Sequence, residues 1–119
     1  MRDFKKIQVW QKAHTFVLAI YKATESFPDG ERFGLTSQIR RAAASIPTNI
    51  AEGAGRDTQK EFARFVQIAT GSASEVEYQL LLSHELGYLL TEQYAALETK
   101  ITEIQKMLHG FAKALKSNV

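Results

Sequence analysis

Cysteine is absent from the 119 residues, which excludes disulfides, thiolate metal sites and cysteine nucleophiles. Proline occurs twice and glycine seven times, too few turn-formers for an all-β chain of short strands. No apolar run exceeds the six residues Phe16 to Tyr21, whereas a membrane-spanning helix needs about 20. The opening residues Arg2, Asp3, Lys5 and Lys6 do not lead into a secretory signal, so a cytoplasmic location away from membranes is expected. Neither sign of charge dominates: 15 basic against 13 acidic residues leave +2. What is present is 45% hydrophobic and 24% charged, the balance of a globular chain whose length suits one domain over residues 1–119.

The apolar spacing is helical throughout. Tyr94, Leu97, Ile101, Ile104, Leu108, Phe111 and Leu115 alternate steps of three and four, which predicts a helix over about 91–116 with Thr91 as its cap. Trp10, Ala13, Val17, Ile20 and Phe27 predict a first helix over about 9–27, stopped by Pro28-Asp29-Gly30. Leu35, Ile39, Ala42, Ile46 and Ile50 predict a second over about 36–54, closed by Gly53 and Gly55. Pro47 lies inside that pattern and removes a backbone donor, so a kink near it is expected. Thr58 and Glu61 form a capping box for a third helix over about 58–86, with Gly87 as its stop.

Four helices with short connections imply an all-α, antiparallel up-and-down four-helix bundle. A three-helix bundle with an arm and a helical-repeat fragment are the other architectures. Helix three has two stripes: Phe62, Val66, Ala69, Ala73, Val76 and Leu80, and beside them Phe65, Ile68, Leu82 and Leu86. The surplus points either to self-association or to a long helix touching two neighbours in its own bundle. Its waist of small residues, Gly71 to Ser74, admits a close neighbour.

Catalytic and metal chemistry find little support. A di-iron bundle needs Glu-x-x-His pairs. His14, His84 and His109 instead follow Gln11, Leu81 and Lys106 at that spacing, so no metal or other cofactor is expected. Glu75 and Glu77 point to different helix sides, and Glu75, near the apolar seam, suits a structural partner such as an arginine. Gly53-Ala54-Gly55-Arg56 follows a helix rather than a strand and reads as a cap and turn. No nucleophile, base and orienting group converge, so the chain is not expected to be an enzyme.

Basic residues carry the functional signal. Residues 1–64 hold 11 basic and 7 acidic side chains, a balance of +4, and residues 65–119 hold 4 and 6, a balance of −2. Lys12, Arg40, Arg41, Arg56, Lys60 and Arg64 are the candidates for contacting RNA or DNA phosphates. The alternative is a solvated surface with local ion pairs on a protein-binding module that touches no nucleic acid.

Phe4 to His14 resembles the N-terminal signature of the 23S ribosomal RNA intervening-sequence proteins, also called four-helix bundle proteins. Arg32 to Gly53 is similar to that family's most distinctive block, and Lys60 to Phe65 and Gly71 to Glu77 extend the resemblance over nearly the whole chain. The resemblance implies an up-and-down bundle that assembles as a ring-like homopentamer. It also implies kinship with the basic accessory protein of diversity-generating retroelements, which works with a reverse transcriptase and nucleic acid. By that analogy Lys12, Arg40, Arg41, Arg56 and Arg64 are nucleic-acid candidates.

Overall fold

Four helices account for most of the chain in the computed structural model, which describes residues 2–117. They are α1 (Gln8–Ala23), α2 (Leu35–Ala54), α3 (Gln59–Glu85) and α4 (Thr91–Ser117), and no strand occurs among the described residues. Each helix packs on the next, and α4 closes back onto α1. The result is an antiparallel four-helix bundle about 45 Å long and 20–23 Å across.

The ends of the helices show where sequence spacing and backbone part company. α1 stops at Ala23, earlier than its stripe suggests, and gives way to a tight turn at Thr24–Ser26. Thr24 Oγ1 donates to the Ile20 carbonyl at 2.8 Å. Phe27 lies beyond the helix in extended backbone, yet is buried. α2 runs unbroken through Pro47, whose ring stands where an N–H would have donated to the Ala43 carbonyl. Thr58 caps α3 as its spacing predicts, accepting from the Glu61 N–H at 3.1 Å. After α3, Gly87 takes φ +81°, a left-handed conformation that costs glycine little. The Gly87 N–H donates to the His84 carbonyl and the Tyr88 N–H to the Ser83 carbonyl, the paired closing bonds of a Schellman stop. Thr91 is the first residue of α4, not its cap. Before it, the Leu90 N–H donates to Gln93 Oε1 at 3.0 Å, the return half of a capping box.

The core follows the stripes read from the sequence for α2 and α3 and most of α4, whereas α1 buries Val9, Ala13, Phe16 and Ile20 and leaves Trp10 and Val17 half-buried. Leu35, Ile39, Ala42, Ile46 and Ile50 from α2, and Phe62, Val66, Ala69, Ala73, Val76 and Leu80 from α3, are all buried. α4 adds Leu97, Ile101, Ile104, Leu108 and Leu115. The α2–α3 interface is the most extensive. Gly53 makes it close: a Cβ there would lie 2.8 Å from Phe62 Cδ1 and from Phe65 Cβ. This glycine is buried inside α2 and does not terminate it. The small-residue waist divides. Ser72 shares a 2.9 Å hydrogen bond with Ser45 of α2 and Ala73 is buried, while Gly71 and Ser74 are exposed. The second stripe of α3 divides too, with Phe65 buried but Ile68 and Leu86 exposed.

The bundle is electrically polarised along its length. The start of α1, the α2–α3 junction and the end of α4 share one end, here the junction end. The Ser45–Ser72 bond and the Lys12–Glu103 ion pair at 3.4 Å mark the waist. On the junction side of that waist lie nine basic and four acidic residues, a balance of +5. On the far side lie five basic and eight acidic residues, a balance of −3.

Candidate nucleic-acid interface

The six basic residues singled out in the sequence do not form one patch. Lys12 sits on the α1–α4 face and pairs with Glu103. Both side chains are about half exposed (49% and 55%), so the pair stabilises little but does neutralise the lysine locally. Arg40 belongs to the far half and is engaged in structure. Its Nε donates to Thr24 Oγ1 at 2.7 Å and its Nη2 to the Tyr21 carbonyl at 3.2 Å. Its guanidinium also lies 4.7 Å from the Tyr21 ring centroid. These contacts close the C-terminal end of α1, where free carbonyls favour a cation. Arg41, its neighbour, is exposed on the same half of the molecule.

Arg56, Lys60 and Arg64 do come together, at the junction end. The guanidiniums of Arg56 and Arg64 lie 4.8 Å and 5.2 Å from the centroid of one ring, Phe65. That ring is buried against α2, so it is a fixed platform for two otherwise flexible side chains. Lys60 is exposed on the first turn of α3. Among the described residues Lys12–Glu103 is the one ion pair within 4.0 Å, so neither arginine has a carboxylate at that range.

Of the other cations on this side, three bear on the cluster. Arg2 donates from Nη1 to the Ala54 and Arg56 carbonyls at 3.3 Å and 2.9 Å, and its guanidinium lies 5.0 Å from the Phe62 ring centroid. It satisfies the last carbonyl of α2 and one in the turn that follows, across more than 50 residues of chain, a contact no local pattern announces. Lys113 and Lys116, on the last turns of α4, line the surface facing Lys60 and Gln67. Their place off the α4 seam is visible in the sequence, but their proximity to α3 is a product of the fold.

The other candidates have structural explanations. At Gly53 to Arg56 the Gly55 and Arg56 N–H groups donate back to Glu52 and Gly53 carbonyls, a turn rather than a phosphate cradle. Glu75 is exposed and accepts from Gln79 Nε2 at 3.2 Å, with no arginine beside it. His14 stacks on Trp10 and His84 on Tyr94. No group of three His, Asp or Glu side chains placed to hold a metal occurs among the described residues. No helix is long and apolar enough to cross a membrane, among the same residues. Tyr88 and Tyr94 have raised pKa values, chiefly because each donates to a carboxylate, Glu31 and Glu98 respectively. Both lie in the far half.

A family model described as 23S rRNA-intervening sequence protein matches residues 5–110. Among solved structures, the chain is similar to a protein with unknown function from the S23 ribosomal protein family of Bacteroides thetaiotaomicron VPI-5482. The two are 30% identical, with a TM-score of 0.81 over 88% of this chain and 95% of that one. No curated protein matches the chain.

Proposed function

Because the chain belongs to the 23S rRNA-intervening sequence protein family, we propose that it is a non-catalytic scaffold that assembles with further copies of itself and engages RNA or DNA phosphates from its basic end. The observation that carries the assembly is the outer face of α2. Ten consecutive residues, Ala42 to Ala51, include no charged side chain. Those of them that are not buried are neutral and mostly small: Ala44, Ser45, Asn49 and Ala51 are half-buried, Ser45 at the α3 edge, and Thr48 is exposed. A solvated helix face ordinarily carries charges. A face of small neutral residues lets a second backbone approach closely. The helices on either side add exposed Leu18 from α1 and Ile68 from α3. The resemblance to ring-forming relatives favours a ring of five copies.

Native mass spectrometry at micromolar concentration tests this reading. The expected mass is five chains. Thr48→Glu, at a position exposed in the isolated bundle, should leave the helical circular dichroism unchanged and shift the mass to one chain. A carboxylate trapped without a partner costs about 3 kcal/mol or more, which weakens association about a hundredfold. A wild-type mass of one chain at every concentration would overturn the assembly.

A further inference from the structure

The first turns of α3 run beside the last turns of α4, and the surface between them is a groove. Lys60, Arg64 and Lys116 line its end nearest the junction, and Lys113 continues it past Gln67 and Thr70. Among the described residues no carboxylate lines either stretch. The groove between α1 and α4, lined by Lys12, Lys100 and Glu103, differs: there Glu103 pairs with Lys12 at 3.4 Å, so part of the charge is answered within the protein. In the α3–α4 groove the cations converge without a counter-ion among the described residues.

We infer that this groove is a track for the phosphate backbone of one nucleic-acid strand, held by Lys60, Arg64, Lys113 and Lys116. The inference rests on the nucleic-acid part of the proposed function and gives it a location. From residue 60 to residue 70 α3 advances about 15 Å. That length lets several successive phosphates of one strand meet the four cations. Gln67 and Thr70 add neutral donors of the kind that bind phosphate and sugar oxygens. No Phe, Tyr or Trp lines the groove, so bases find no stacking platform there and recognition is of backbone rather than sequence. A flat lipid surface cannot enter a furrow between two helices; a strand can.

Fluorescence anisotropy with short labelled RNA and DNA strands of one sequence, titrated with salt, tests the track. Wild-type protein should bind both strands, with a slope of log affinity against log salt of about −3 for four single-strand phosphate contacts. The combined variant Lys60→Gln, Arg64→Gln, Lys113→Gln and Lys116→Gln should lose most of that slope and about a hundredfold in affinity at low salt. Its helical circular dichroism should be that of wild type. Lys22→Gln, exposed on the last turn of α1 in the far half, should change neither quantity. A combined variant that keeps wild-type affinity and slope would overturn the track and leave nucleic-acid binding to be placed elsewhere. Wild-type protein that binds neither strand at low salt would overturn both the track and the reading beneath it. Binding to phosphatidylserine vesicles without binding to either strand would replace nucleic acid with a membrane.

Discussion

Glu31 joins parts of the chain that the sequence holds far apart. Its Oε1 accepts from the Leu35 N–H at 3.1 Å, opening α2, and its Oε2 accepts from the Tyr88 hydroxyl at 2.9 Å, 57 residues on. Glu31→Ala should destabilise the bundle by about 1 kcal/mol through loss of the cap alone, read as a lower urea midpoint. The pair also makes a pH prediction. The hydrogen bond to Glu31, then partial burial and the nearby negative charge, raise Tyr88 above its ordinary 10.0. A phenol whose pKa is higher folded than unfolded contributes stability that is complete below about pH 10 and is lost as pH rises through the raised value. Wild-type protein should therefore lose stability more steeply above about pH 10 than Tyr88→Phe. Equal slopes in the two proteins would contradict this. None of it is legible in the sequence, because Glu31 shows no spacing to Tyr88 and sits in a segment that reads only as turn.

At the scale of elements, α2 and α3 show both how far periodicity reaches and where it stops. Every residue of their principal stripes is buried, since steps of three and four place those side chains on one side whatever the neighbour is. Gly53 was beyond that logic. By local pattern it reads as a helix stop, but its role is set by Phe62 and Phe65 on another helix. Gly53→Ala gains up to about 1 kcal/mol in helix propensity. It also drives a methyl into contacts that cannot yield without moving α3, an overpacking cost of about 1–3 kcal/mol. The net expectation is a lower thermal midpoint, whereas Gly71→Ala, where nothing lies within 4 Å of the added Cβ, should raise it. Phe27 teaches the complementary lesson. Its burial follows from its spacing, but its backbone does not, because Thr24 turns the chain first.

For the whole molecule, the antiparallel path explains why the basic candidates are split. α2 carries Arg40 and Arg41 in one half and delivers Arg56 to the other, about 22 Å away along a helix of this rise. The sequence shows a basic first half and an acidic second half, but the fold redistributes those charges by helix direction. Arg2, Lys113 and Lys116 then join Arg56, Lys60 and Arg64 although they come from opposite ends of the chain. A list of cations can be read from sequence, but the meeting of three separate segments at one end depends on the packing of α3 against α4.

That lengthwise polarity would give the copies of the proposed assembly a compass. Rods laid alongside one another with like poles level repel, so a parallel ring is held together in spite of its charges and should tighten as ionic strength rises. Rods laid pole to opposite pole should loosen under the same titration. Sedimentation across a salt series would therefore report which way neighbours point before any assembly is imaged.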